Sequence, residues 1–228
     1  CISTRSDRGA IGPWDWGPVG GGEAGYISVD PKNPNIVYAG EYYGILTRFD
    51  RRTGQAQNIS VWPDNTDGWG AETLKYRFQW TMPILASRYD PNVVYYTGNV
   101  VFRTTNGGMS WDVISPDLTR NDKSKQGRSG GPITGENISM EYYNLIFSFA
   151  ESPLDKNVLW AGADDGLIHV SRDYGKTWTN VTPKEMPEGR VSQLDASPLD
   201  PARHTWRWTA TSSTISNPTS GRPATLAK

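Results

Sequence analysis

The stretch Asn157–Trp178, "NVLWAGADDGLIHVSRDYGKTW", decides the fold. "NVLWAG" is a short apolar run closed by a glycine, "ADDG" is a tight turn, and "LIHVS" alternates in the manner of a strand. In the second strand Leu167, His169 and Ser171 face one side while Ile168 and Val170 face the other. A second turn, "SRDYGKTW" from Ser171 to Trp178, follows at once. The unit is therefore a chain of hairpins, too short at each step for helix.

The same grammar occurs in residues 28–54, "SVDPKNPNIVYAGEYYGILTRFDRRTG", and in residues 86–111, "ASRYDPNVVYYTGNVVFRTTNGGMSW". Each copy runs from an apolar strand through a turn containing Pro31, Pro91 or Pro153 to a strand that ends near Gly40, Gly98 or Gly162. The central strands begin at Asn35, Asn92 and Asn157, roughly 55 to 65 residues apart, which suits propeller blades carrying insertions. A fourth copy starts with "VSQLDASPLDP" at Val191 and then loses the pattern. The expected fold is all-β: a partial β-propeller of four-stranded antiparallel blades with box-like hairpins. A lead-in occupies 1–19, and three and a fraction blades occupy about 20–62, 78–119, 138–183 and 190–203. So few blades leave open edges, so the chain reads as a piece of a longer protein. Two polar, glycine-bearing insertions, residues 62–76 and 120–137, read as loops on a propeller face.

Composition agrees with this and narrows the function. Ten Trp and eleven Tyr need a packed interior, while 24 Gly and 16 Pro among 228 residues imply many tight turns. A net charge of −1 supplies no basic surface for nucleic acid, and no apolar run is long enough for membrane insertion. The single cysteine, Cys1, makes no disulfide within the chain. His169 and His204 are far apart with no Cys/His spacing beside them, so no metal is expected, and Gly20–Gly22 precede no helix that would cradle a phosphate. No cofactor is called for.

Residues 204–228, "HTWRWTATSSTISNPTSGRPATLAK", hold about ten Ser or Thr and read as an irregular tail. Codons shifted so that each takes its first base from the end of the preceding one turn Trp208–Thr209 into Asp. Suitable choices elsewhere spell "AYVAVDRYQLDDFKPYIWKASDFGK", a strand-loop-strand pattern ending in a box-like motif. A reading-frame artefact from about His204 onward is the expectation.

The hairpin motif also carries a family resemblance. "SRDYGKTW" matches the Asp-box pattern S-x-D-x-G-x-T-W at Ser171, Asp173, Gly175, Thr177 and Trp178. "TTNGGMSW" matches it at Thr104, Gly108 and Trp111, with Asn106 in place of Asp and Ser110 in place of Thr. With "YRFQWTMPIL", "ISPDLTRND" and "PITGENISMEYYNLIF", the chain resembles the large bacterial sortilin-like propeller proteins that carry bacterial neuraminidase repeats and are often labelled glycosyl hydrolases. The resemblance implies a propeller from a secreted or periplasmic (cell-envelope) protein, with the boxes on hairpins away from the central pocket. The amino-terminal part also resembles xyloglucanase-type propellers, in which a catalytic Asp follows a "Y-A-R-T" stretch. Here "YAGEY" places Tyr42 in that slot and Glu41 beside it.

The leading functional expectation is a non-catalytic binding or scaffold propeller for a protein, peptide or carbohydrate ligand. The alternative is a glycoside hydrolase, xyloglucanase- or sialidase-like, with part of its active site outside the chain. Glycosidases need two carboxyl groups across the scissile bond, and the acids at blade mouths are Asp164, Glu41, Glu136 and Glu141. For Asp164 the competing reading is a hairpin turn residue, and for the glutamates a solvated loop. Arg77, Trp80, Tyr142 and Tyr143 are the ligand-binding candidates, with blade-core packing as the plain alternative.

Overall fold

The computed structural model describes residues 9–23, 25–128, 130, 133, 135, 141–201 and 203–210. Three successive four-stranded antiparallel sheets run in chain order from inner to outer strand. The first comprises β1 (Ile27–Val29), β2 (Ile36–Gly40), β3 (Leu46–Asp50) and β4 (Gln55–Asn58). The second comprises β5 (Ile84–Ala86), β6 (Val94–Thr97), β7 (Val101–Thr104) and β8 (Asp112–Val113). The third comprises β9 (Ile146–Glu151), β10 (Leu159–Ala163), β11 (Ile168–Ser171) and β12 (Thr179–Asn180). A two-stranded ribbon, β13 (Gly189–Ala196) with β14 (His204–Ala210), follows them. Helical turns among the described residues are short 3-10 pieces only.

Every sheet is a simple meander, so alternate connections emerge at opposite ends. The first-to-second and third-to-fourth strand turns share one end, here called the hairpin end. The second-to-third turns and the links between sheets share the other, called the loop end.

Apolar cores lie between sheets, not within them. Ile36, Tyr38 and Leu46 of the first sheet pack with Val94, Tyr96 and Phe102 of the second. Val93, Tyr95 and Val101 on the second sheet's opposite face meet Ile146, Leu159 and Ala161 of the third. Trp160, Ile168 and Val170 then meet Val191 and Leu194 of the ribbon. Because each central strand is covered on both faces, its residues are buried without alternation: β2, β6 and β10 are buried throughout. Burial of side chains such as Tyr96 and Trp160 contributes roughly 1.5 to 3 kcal/mol each.

The hairpin motifs fasten neighbouring sheets together. Asp173 accepts from the Thr177 amide at 2.8 Å and from the Thr177 hydroxyl at 2.6 Å, while the Ser171 hydroxyl donates to Asp173 at 2.9 Å. The Trp178 indole N–H then donates to the Ile114 carbonyl of the preceding sheet at 2.8 Å. The earlier copy repeats this. Asn106 accepts from the Ser110 amide at 3.0 Å, and Trp111 donates to the Ile59 carbonyl at 2.8 Å. Gly108 and Gly175 take positive φ values of 95° and 87°, and a Cβ on either would stand 2.5 or 2.7 Å from Ile59 or Ile114. Glycine is thus required twice over, by conformation and by close approach.

One expectation needs correcting. Residues 204–210 were read as the start of an irregular tail, yet they form β14 and pair antiparallel with β13, Trp208 opposite Val191 and His204 opposite Ala196. The cause is period-two alternation in "HTWRWTA": His204 and Trp208 turn inward, and His204 stacks on Trp160 with ring centroids 3.9 Å apart. Residues 211–228, which carry most of the reading-frame expectation, lie outside the described residues, as does Glu136.

Candidate functional site

At the loop end, the linking segments converge on a buried arginine. Arg77 is 2% exposed and its guanidinium is tied to the framework: Nη2 donates to Asp117 at 2.7 Å, and Nε and Nη2 donate to the Asn144 carbonyl at 3.2 and 3.1 Å. Asp117 also accepts from the Asn99 side-chain amide at 3.0 Å and from the Thr119 hydroxyl. Three segments, 76–83, 98–100 and 114–121, are thereby tied to the start of the third sheet. This placement gives Arg77 a part in tying the blades together, the packing role that stood beside the ligand-binding expectation. Asp117 was missed in the sequence; its only local signal is "DLT", where the carboxylate caps its own turn through the Thr119 amide at 3.0 Å.

Asp164 and Asp165 occupy the turn between β10 and β11, and both are buried. Asp164 accepts from the Leu145 amide at 2.9 Å. Burial pushes its carboxyl up to about 7, the Leu145 amide acting against this and the neighbouring Asp165 adding to it. Asp165 accepts from the Arg120 amide at 2.6 Å and from the Asn144 side chain at 2.7 Å, and burial raises its pKa against those bonds. The pair pins the start of β9 and the long link before it. Asp-Asp-Gly is a turn, and both carboxylates additionally serve as its anchors.

Tyr143 sits beside this pair. Its hydroxyl donates to Glu188 at 2.5 Å, and Lys125 forms an ion pair with the same carboxylate oxygen. Burial, then the Glu188 contact, hold the Tyr143 phenol well above its ordinary range, while Lys125 and Tyr143 lower Glu188. Glu188 is another residue that sequence reading did not single out.

The aromatic candidates fall in the neighbouring part of the same end. Trp80 packs edge-on against Tyr42 with centroids 5.8 Å apart, and Tyr42 against Tyr43 at 4.8 Å. Tyr43 takes a positive φ of 62°, and a hydrogen bond to Asp67 pushes its phenol up to about 12. Tyr142 donates to the Trp69 carbonyl at 2.9 Å, and the Trp69 ring is 57% exposed. Glu41 is half-buried beside Tyr42, its carboxyl lying over Gly22, and Glu141 is exposed. Trp80, Tyr42 and Tyr43 thus form an aromatic floor with Glu41 and Asp67 at its margin. Among the described residues no group of three His, Cys, Asp or Glu side chains is placed to hold a metal ion, and no helix is long and apolar enough to cross a membrane.

This architecture has relatives among solved structures. An ancestral GH74 enzyme superposes with a TM-score of 0.53 at 16% identity, over 84% of this chain and 22% of that one. The fold is a β-propeller. The GH74 xyloglucanase from Xanthomonas campestris superposes with a TM-score of 0.51 at 16% identity, over 85% of this chain and 28% of its own. A curated relative, a probable oligoxyloglucan-reducing end-specific xyloglucanase of Neosartorya fischeri, is 24% identical over 209 residues, which is 81% of this chain and 24% of that protein. No protein-family profile matches the chain. The propeller therefore spans about a quarter of the length of the relatives it matches. Those relatives are glycoside hydrolases, and they favour the xyloglucanase side of the resemblance over its sortilin-like side.

Proposed function

We propose that this propeller segment is the glycan-binding part of a glycoside hydrolase acting outside the cytoplasm on a xyloglucan-like polysaccharide, its substrate lying across the loop end. The aromatic floor carries this reading. Tyr42, Tyr43 and Trp80 are held in one cluster by edge-to-face packing, and flat apolar ring faces are what the C–H faces of pyranose rings stack upon. Glu41 at its margin is the carboxyl group best placed to meet a bound glycan. Asp164, whose bond to Leu145 and deep burial commit it to the framework, is assigned the role of positioning the β10–β11 turn. The opposing carboxyl group that glycoside cleavage requires is assigned to blades beyond this chain.

A xyloglucan oligosaccharide titrated calorimetrically into the chain is expected to bind saturably. Trp80→Ala should weaken that binding by about tenfold, the loss of one stacked ring. Absence of binding, or binding that Trp80→Ala leaves unchanged, overturns the assignment.

A further inference from the structure

The turn that carries two rings of the aromatic floor is built against the preference of its own backbone. Between β2 and β3 the Glu41 amide donates to the Ile45 carbonyl at 2.9 Å and the Ile45 amide to the Tyr42 carbonyl at 3.3 Å, so Tyr43 and Gly44 are the central pair of a tight turn. Both are left-handed, Tyr43 with φ 62° and ψ 12° and Gly44 with φ 75°, the type I′ geometry for which Asn-Gly is the usual sequence. The glycine is accounted for, since a Cβ on it would lie 2.6 Å from the Phe78 ring. The tyrosine is not, because a bulky side chain is held in the left-handed region only at a cost in stability. In the third sheet the Ala163 amide bonds the Leu167 carbonyl in the same way, and there the left-handed position falls on Gly166.

A backbone in that conformation persists where its surroundings hold it. Asp67, in the insertion between the first and second sheets, does so through a hydrogen bond with the Tyr43 hydroxyl. The insertion is itself anchored on both sides of Asp67. Thr66 is buried, and the Asp67 amide donates to Asn65 Oδ1 at 3.1 Å. Beyond it, the Tyr142 hydroxyl donates to the Trp69 carbonyl at 2.9 Å and the Glu72 amide to the Gln126 carbonyl at 3.1 Å. Asp67 therefore reaches the turn from a fixed platform.

We infer that Asp67 is a positioning residue for the glycan site and acts through Tyr43, an inference that rests on the reading of the loop end as a glycan-binding face. The left-handed backbone sets the Tyr43 ring edge-on to Tyr42 with centroids 4.8 Å apart, and Tyr42 in turn meets Trp80. Fixed at its backbone by the turn and at its hydroxyl by Asp67, the ring has given up its rotamer freedom before a ligand arrives. Binding then does not have to supply that ordering, so the tie appears as affinity. The cost of placing a tyrosine in this turn is accounted for by the ring it presents.

A double-mutant cycle read by calorimetric titration of the xyloglucan oligosaccharide tests this. Tyr43→Asn, which suits the turn and removes the ring, should weaken binding by about tenfold. Tyr43→Phe and Asp67→Ala, which keep the ring and release it, should each weaken binding by about threefold. The two combined should bind no more weakly than either alone, because both break the same tie. Losses that multiply to about tenfold in the double variant overturn the proposal, since Asp67 then acts independently of Tyr43, on the glycan or on the loop. Full affinity in Tyr43→Asn or in Asp67→Ala also overturns it. Trp80→Ala separates this outcome from failure of the broader reading: where it weakens binding and Asp67→Ala does not, the glycan face stands and the positioning role falls. Where the oligosaccharide does not bind the wild-type chain, the glycan face itself falls and takes the positioning role with it.

Discussion

Asp164 makes this framework sensitive to pH. Its folded pKa of about 7 lies above the ordinary 3.8, so the folded chain holds a proton that the unfolded chain has released. Between about pH 4 and pH 7 stability contributed by the neutral carboxyl is therefore lost as pH rises, by up to about 4 kcal/mol. His169 and His204 act in the opposite sense: burial lowers both to about 4, so their contribution is lost as pH falls below 6.5. The two trends overlap and mask each other in the wild-type curve. Asp164→Asn keeps an acceptor for the Leu145 amide and removes the titration, so the difference between the two proteins isolates it. Chemical denaturation from pH 4 to 7 should show the stability of wild type falling relative to Asp164→Asn; a flat difference would refute the raised pKa. The aspartate's place in a turn was legible in "ADDG", whereas its burial was not, because Leu145 lies 19 residues away across a long link.

At the scale of elements, the hairpin fasteners connect sequence to packing most directly. Gly175 combines a φ of 87° with a neighbour, Ile114, that leaves a Cβ only 2.7 Å of room. Gly54, at the corresponding turn of the first sheet, has a similar φ of 71° and nothing within 4 Å. Conformational strain acts at both positions and steric conflict at one. Gly54→Ala is expected to cost about 1 to 2 kcal/mol and Gly175→Ala about 2 to 4 kcal/mol, measured by urea denaturation. Equal costs would mean that Ile114 yields freely and that the glycine serves conformation alone. Strands and turns were legible here because their signals are local: alternation in "LIHVS", Pro and Asn-Gly at the bends, Trp at the end of the box. The loop-end network was not, because Arg77 comes from one link, Asp117 and Asn144 from opposite ends of another, and no local pattern announces that they meet. The same limit applies to β14. Serine and threonine dominated the composition of the tail as a whole and hid seven residues whose inward positions are His204, Trp206 and Trp208.

For the whole molecule the decisive fact is that apolar cores belong to interfaces between blades. Tyr38 is covered by the second sheet, Tyr95 by the third, and Trp160 by the ribbon. Stability should then follow nearest-neighbour terms, as in repeat proteins, with each blade dependent on the next. Cutting the chain after Glu188 removes β13 and β14, and with them Val191 and Leu194 from the face of Trp160, Ile168 and Val170. In that truncated chain, hydrogen exchange in β10 and β11 should accelerate by orders of magnitude, since the outer face of the third sheet becomes an exposed apolar surface. Strands β2 and β6 keep the first-to-second interface, including the stacked Phe78 and Tyr96 rings at 5.8 Å and the Trp111 bond to Ile59, and should retain most of their protection. Arg77 gives the second and third blades an additional polar tie through Asn144, so β9 should sit between these extremes. If protection instead collapses equally in all three sheets, the blades unfold as one unit and the nearest-neighbour description fails. A graded loss, steepest in β10 and β11, would place the weakest part of the propeller at the blade it leaves incomplete.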